Sequence, residues 1–379
     1  MTSAPAYLDH NATTPAKPAV IAAVTAALGC VGNPSSVHRF GRCARRTVEV
    51  AREQVAALVG AAPSQVVFTA SATEANNLAL HGLGSAASRR ILVSGIEHDS
   101  IIAAADEATR IAATADGLID LAALERDLAR DERPALVALM LANNETGAIQ
   151  PVAEAARIAR AHGALLLCDA AQAVGKIAVD IGALGCDALT VSAHKFGGPQ
   201  GAAALVLAGD PPLASLIRGG GQERGRRAGT ENVPAIAGFG VAAKLAAEDL
   251  PRMAALAAQR DRLEAAVRRV APGAEIFAAA AERLPNTSCL SMPGVASETQ
   301  IMALDLAGVA VSAGSACSSG KVRASRVLTA MGVPLAVANT AIRVSLGWTT
   351  GAADIDRFIE SWTALWTRLG NSRAAVPAA

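Results

Sequence analysis

Between residues 45 and 250 short apolar runs alternate with longer stretches of helical pattern, and no Pro-, Gly- or Ser-rich linker interrupts them. Strand-like runs lie at 65–69, 90–94, 136–141, 164–168, 188–192 and 201–207, with helical stretches such as 44–59, 73–82 and 151–162 between them. That alternation predicts a parallel or mixed α/β sheet with helices on both faces. In such sheets ligands bind beyond the carboxyl ends of the strands. After Pro251 the pattern changes to a long Ala/Leu/Arg helix at 253–270, short strands near 287–291 and 309–312, a Gly/Ser/Ala loop at 313–320 and further helices. A chain of 379 residues exceeds what one core usually serves. The expected division is a large domain at 13–250 and a smaller α+β domain made from 1–12 and 251–379, which carries a loop at about 312–323.

A hydrophobic fraction of 52% is ample for a packed core, and a net charge of +1 gives no reason to expect nucleic acid as a partner. The first residues lack a basic start followed by an apolar stretch, and the longest apolar runs are too short to span a bilayer. The expectation is a soluble, cytoplasmic protein without a membrane partner. None of the six cysteines forms a C-x-x-C pair. Neither a disulfide framework nor a dedicated metal site is expected.

Two strand ends carry the chemistry. An apolar run precedes Asp169, and another precedes Ser192-Ala193-His194-Lys195. A lysine and an aspartate at neighbouring strand ends are what pyridoxal phosphate requires. The lysine holds the aldehyde as a Schiff base, and the carboxylate keeps the pyridine nitrogen protonated. A lone strand-end lysine is more often a surface residue, but of five lysines (Lys17, Lys176, Lys195, Lys244, Lys321) only Lys195 closes an apolar run. Gln172 can reach the same face as Asp169 and donate to the ring oxygen. Thr69-Ala70-Ser71-Ala72-Thr73-Glu74 follows a strand and opens a helix, a ready anion site that Ser192 and His194 can complete. An ordinary N-cap on Thr73 explains that stretch equally well. His98, after the strand at 91–94, reads alone as a structural histidine.

Cys317 sits in Ser315-Ala316-Cys317-Ser318-Ser319, among small polar residues that cannot form a core, and glycines bracket the segment. That is where an exposed nucleophilic thiol is carried. About six residues on either side give it a reach on the order of 20 Å.

The chain resembles the cysteine desulfurases of the NifS/IscS type, in the class-V aminotransferase branch of the pyridoxal-phosphate enzymes. The resemblance rests on ordered blocks: Tyr7-Leu8-Asp9-His10-Asn11, Asn33-Pro34-Ser35-Ser36, Ala72-Thr73-Glu74, Glu97-His98, Asn143-Asn144-Glu145-Thr146-Gly147, Asp169-Ala170-Ala171-Gln172, Ser192-Ala193-His194-Lys195, Gly229-Thr230-Glu231-Asn232, Ser315-Ala316-Cys317 and Ile342-Arg343-Val344. It implies the fold type I transferase architecture, an α/β fold with a mixed, mostly parallel sheet between helices plus a smaller α+β domain. It also implies a homodimer that uses pyridoxal 5'-phosphate to convert L-cysteine to L-alanine.

By this resemblance Lys195 carries the cofactor, Asp169 pairs with its ring nitrogen, Gln172 holds its ring oxygen and His98 stacks on the ring and assists proton transfer. Ala72, Thr73, Ser192 and His194 grip the phosphate, with Thr230 contributed by the partner subunit. Asn144 touches both cofactor and substrate, and Asn11 and Arg343 bind substrate, the arginine taking its carboxylate. Cys317 accepts the sulfur as a persulfide and passes it to an iron–sulfur scaffold or another acceptor protein, for cluster assembly, nitrogenase maturation or tRNA thiolation. The resemblance also makes Cys317 a candidate transient iron–sulfur ligand.

The family commonly has Ser-Gly where this chain has Ala70-Ser71, so a positive φ there would strain Ser71. Gly197 and Gln200 replace a bulkier residue and a lysine, and Lys321-Val322-Arg323 makes the stretch after Cys317 basic. Rival readings are a selenocysteine lyase, a class-V aminotransferase, or a non-catalytic sulfur-carrier subunit. Cys317 argues against the aminotransferase, and the intact Lys195, Asp169 and His98 against a silent subunit.

Overall fold

The computed structural model describes residues 5–209, 211–314 and 325–370. A short strand, β1 (Ala6–Tyr7), precedes β2 (Val66–Thr69), β3 (Arg90–Ser94), β4 (Thr109–Ile111), β5 (Ala135–Met140), β6 (Leu165–Asp169), β7 (Ala188–Ser192) and β8 (Ala203–Leu207). The last seven form one sheet in the order β2-β8-β7-β6-β5-β3-β4. β8 is antiparallel to β7 and to β2, and all other neighbours are parallel. Two reversals leave β2 pointing the same way as β7. The carboxyl ends of β2, β3, β5, β6 and β7 therefore share one edge.

These strands form where they do because the sheet is covered on both faces, which makes central strands continuous apolar runs. Every residue of β5, β7 and β8 is buried. The strand period of two divides them between two packings. Val137, Leu139, Leu166, Leu189 and Val191 face one cluster, in which Val48 and Val55 of the Arg39–Leu58 helix also lie. Leu136, Ala138, Leu167 and Ala188 face the other, against Ala75 and Leu78 of the Ala72–Ala79 helix. The expected strands match to within two residues at their ends. The edge strand β4 was not anticipated.

The remaining strands are β9 (Thr287–Ser291), β10 (Val309–Ala310), β11 (Ser312–Ala313) and β12 (Ala341–Ser345). An antiparallel sheet of order β11-β12-β9 lies beside a parallel pair, β1 with β10. Leu8, Val309, Ile342 and Val344 pack there with Phe358 and Trp362 of the Ala352–Leu365 helix as a second core. No helix among the described residues is long and apolar enough to cross a membrane.

The helix expected at 253–270 is the second half of a 38-residue helix, Val233–Val270. Pro234 stands in its first turn, where a missing N–H is harmless. Pro251 lies inside and removes one backbone bond. The helix persists because packing holds both flanks: Phe239, Ala242 and Ala246 in the first core, and Met253, Leu256, Leu263 and Val267 in the second. The expected division at 250/251 thus falls within a continuous helix.

Arg283 and Glu264 fasten the second half of this helix to the 281–284 segment through paired bonds of 2.7 and 2.9 Å, with both side chains buried. Arg283→Ala leaves a carboxylate buried and unpaired. We expect it to lower the unfolding free energy by about 3–5 kcal/mol in urea melts. A loss under about 1 kcal/mol would show that water reaches the pair.

Candidate active site

β6 ends on Asp169 and β7 on Ser192, and parallel pairing sets Asp169 opposite Thr190. A single 3₁₀ turn, Ala193–Lys195, follows β7 directly, so Lys195 stands just beyond the sheet edge. There a cavity of about 250 Å³ is lined by Ala72, Thr73, His98, Asn144, Asp169, Gln172, Ser192, His194 and Lys195. Residues far apart in sequence meet there because the strands that carry them all open on one edge.

Asp169 is 6% exposed. Its Oδ2 accepts from Asn76 Nδ2 at 2.8 Å and its Oδ1 from the Ala171 N–H at 3.0 Å. Asn76 was not anticipated in this role. It is wholly buried, and Thr190 Oγ1 donates to its Oδ1 at 2.7 Å, which turns its amide nitrogen toward Asp169. Its position on the inner face of the Ala72–Ala79 helix, one turn after Thr73, was the available signal.

The strand end at β2 leads into the anion-binding corner. Ser71 has φ −160° and ψ 161°, extended backbone open to any residue, so replacing the family's glycine introduces no strain. Ser71, rather than Thr73, caps the helix, its Oγ accepting from Glu74 N at 3.1 Å. The first-turn N–H groups that follow have no intrahelical partners. His194 bonds Thr13 Oγ1 through Nδ1 at 3.2 Å. Burial, then the charges of Lys195 and Lys176, push it down to about 4, so at neutral pH it is an uncharged donor. His98 Nδ1 accepts the Ser100 N–H at 3.1 Å, which leaves Nε2 as the ring nitrogen free to donate.

Lys195 Nζ donates to the carbonyls of Asn11 at 2.6 Å and Ala12 at 3.0 Å. Burial, then Arg343, lower its pKa to about 8. Gln172 Nε2 donates to the same Asn11 carbonyl at 2.9 Å. Asn11 Nδ2 in turn donates to the Asn144 carbonyl at 3.2 Å and Thr287 Oγ1 at 2.9 Å. Arg343, on β12 and 3% exposed, donates to the Asn144 carbonyl at 3.0 Å and to Asp9 Oδ1 at 2.8 Å. Its Nε has no partner among the described residues. Neither Asn11 nor Arg343 lines the cavity itself; Asn11 is bonded to Asn144, Gln172 and Lys195, and Arg343 to Asn144, which do.

Gly197 has φ +87°, and a Cβ there would lie 2.9 Å from Lys17 Cγ. The Lys17 stem fills the space of the family's bulkier residue, and its Nζ is held by Asp249 at 2.7 Å. Gln200 is exposed.

Thr230 is exposed and lines a separate pocket with Thr69 and Arg227. Cys317 lies outside the described residues. Glu145, given no role from the sequence, is buried between the two segments that flank 315–324: Ser325 Oγ donates to it, and a Cβ on Gly314 would come 2.3 Å from its Oε2. A larger cavity, about 350 Å³, lies among Arg45, Arg52, Glu223 and Arg226. Glu223 already neutralises its buried Arg52, and it has no lysine or thiol, so the chemistry lies at the strand ends.

The donor set fits pyridoxal phosphate. It offers an amine of lowered pKa, a buried carboxylate for the ring nitrogen, an amide donor, and a helix N-terminus with hydroxyls for the phosphate. The cavity, just under the ~300 Å³ of ordinary small-molecule pockets, suits a small flat ring. No cluster of metal-ligating side chains occurs among the described residues.

The class-V aminotransferase family model matches residues 6–358. A cysteine desulfurase of Cereibacter sphaeroides is 43% identical, the match covering 93% of this chain and 94% of that protein. An IscS-like cysteine desulfurase of Mycobacterium tuberculosis is 40% identical over 94% of each. Among solved structures, a NifS-like protein from Rickettsia africae superposes with a TM-score of 0.89 at 36% identity, covering 96% of this chain and 99% of that one. The chain therefore belongs to the class-V aminotransferase family of pyridoxal-phosphate enzymes, among its cysteine desulfurases of the NifS/IscS type.

Proposed function

We propose that this chain converts L-cysteine to L-alanine and carries the released sulfur as a persulfide on Cys317. The observation that supports this most directly is the juxtaposition of Lys195, of lowered pKa, with the buried Asp169 carboxylate in one cavity. Asp169 would hold the ring nitrogen, Gln172 the ring oxygen, and Ala72, Thr73, Ser192 and His194 the phosphate. When bound, the cofactor withdraws electrons from the substrate's Cα and so makes the carbon–sulfur bond breakable.

The protein's own part follows from its charges. Arg343 and Asn144 orient the substrate, and the unpaired Arg343 Nε is a donor that a carboxylate can satisfy. Lys195, with a pKa of about 8, supplies neutral amine near physiological pH and so takes the Cα proton as a base. His98, with Nε2 free to donate, lies at the cavity. The Cys317 thiolate attacks the substrate sulfur. A sulfur–sulfur bond forms and the carbon–sulfur bond breaks, its electron pair staying with the carbon, which takes up a proton to become alanine.

The acceptor in this reading is a protein with a free thiol, such as an iron–sulfur scaffold, in the cytoplasm where thiols stay reduced. We further propose a homodimer in which Thr230 serves the partner's phosphate site. A run of exposed apolar side chains, Leu28, Val31, Val37 and Phe40, supports pairing of two copies. We retain the division into a 13–250 domain and a 1–12 plus 251–379 domain as an assignment, with the long helix shared between them.

Incubation with L-cysteine and a thiol reductant should release alanine and sulfide in equal amounts, and Cys317→Ala should lose sulfide release while still binding cysteine. Undiminished sulfide from that variant would remove Cys317 from the pathway. The lowered pKa of Lys195 also predicts a pH profile. In cofactor-free protein, acylation of Lys195 followed by peptide mapping should rise with a midpoint near pH 8, against about 10.4 for an ordinary lysine. A midpoint near pH 10 would contradict it.

A further inference from the structure

Lys176 is 3% exposed, yet no carboxylate among the described residues pairs with it. Burying an ammonium group without a counter-charge is unfavourable. What holds it is a pair of amide oxygens: Nζ donates to Gln172 Oε1 at 2.6 Å and to Asn11 Oδ1 at 2.8 Å. Burial, and then the charge of Lys195, push Lys176 well below the ordinary lysine pKa. The polarity of the two contacts survives loss of a proton, because a neutral amine keeps two N–H bonds, one for each oxygen.

This polarity has a consequence for Gln172. A carboxamide presents oxygen on one side and nitrogen on the other. With Oε1 taken by Lys176, Nε2 must face the opposite way, and it donates to the Asn11 carbonyl at 2.9 Å. That carbonyl also accepts from Lys195 Nζ at 2.6 Å, so the Gln172 donor is aimed at the place where the cofactor-bearing amine sits. The Asn11 carbonyl favours the same orientation, since a flip would set Oε1 against it, and Lys176 fixes the amide from the opposite side, so that a flip would lose both contacts and turn Oε1 toward the ligand.

We propose that Lys176 is a positioning residue that acts through Gln172, locking its amide so that Nε2 rather than Oε1 meets the ring oxygen of pyridoxal phosphate. The proposal rests on the placement of Gln172 at the ring in the reading above. Lys176 does not line the cavity that would hold the cofactor.

A double-mutant cycle with Lys176→Met and Gln172→Ala tests it, reading the cofactor dissociation constant by equilibrium dialysis and the position of the visible absorbance band. Lys176→Met should weaken cofactor binding about tenfold, the scale of one hydrogen bond to a charged group, and displace the band. The double variant should be no weaker than Gln172→Ala alone. If Lys176 merely fills space, the two losses multiply, and that overturns the proposal while leaving the site reading intact. A Gln172→Ala variant that binds the cofactor like the parent overturns both. Circular dichroism checks folding, and if Lys176→Met does not fold, Lys176→Gln carries the same cycle with the same criteria.

Discussion

In the parallel pairing of β6 with β7, Asp169 lies opposite Thr190, so the carboxylate and the Ser192–Lys195 turn leave the sheet side by side. A slip of one residue would turn every side chain on either strand to the other face. Hydrophobic burial on both faces opposes that slip, and a polar lock adds to it. Thr190 donates to Asn76 and Asn76 donates to Asp169, so one buried amide bridges the two opposed positions. The same bonds that hold the register hold the carboxylate still. A ligand that needs a carboxylate and an amine at fixed separation depends on that pairing more than on any single side chain.

Around this frame the charges are sorted by desolvation. Lys176 and Arg343 are buried, Lys195 is partly so, and two histidines near them, His10 and His194, are driven to about 4 and kept neutral. Glu97 is wholly buried, with one oxygen accepting from the Met140 N–H and the other without a partner among the described residues. Burial, opposed by that hydrogen bond and reinforced by Asp169, pushes its pKa well above the ordinary carboxylate value. The outcome is a pocket lined largely by hydrogen-bond donors, with Lys195 as the lysine and Asp169 as the carboxylate of its lining and with Lys176 and Arg343 behind it. An anion bound there would lessen the repulsion among these cations.

The large sheet was legible because buried strands are compositionally plain: ALVALM and AALVL admit little else. β4 was not, since only three residues pair and two of them are exposed. Pro234 and Pro251 hid the first half of the long helix, because local sequence cannot show that packing on both flanks outweighs one lost hydrogen bond. The lysine and aspartate could be found from their strand ends. Asn76, Glu145 and Lys176 could not, since a polar residue in a helix or turn reads as solvated until its long-range partners are known. At Ser71 the condition set for strain, a positive φ, is not met, because the backbone there is extended.

The long helix has a mechanical meaning. At about 57 Å for 38 residues it crosses from one core to the other without a break. Segments from both cores meet at the site: Asp169 and Lys195 stand on the first sheet, while Arg343 lies on β12 and Asn11 beside it. A strut shared by both cores resists any jaw-like opening between them. Any such opening would have to bend this helix and break backbone hydrogen bonds along it, most easily at Pro251, where one is already missing.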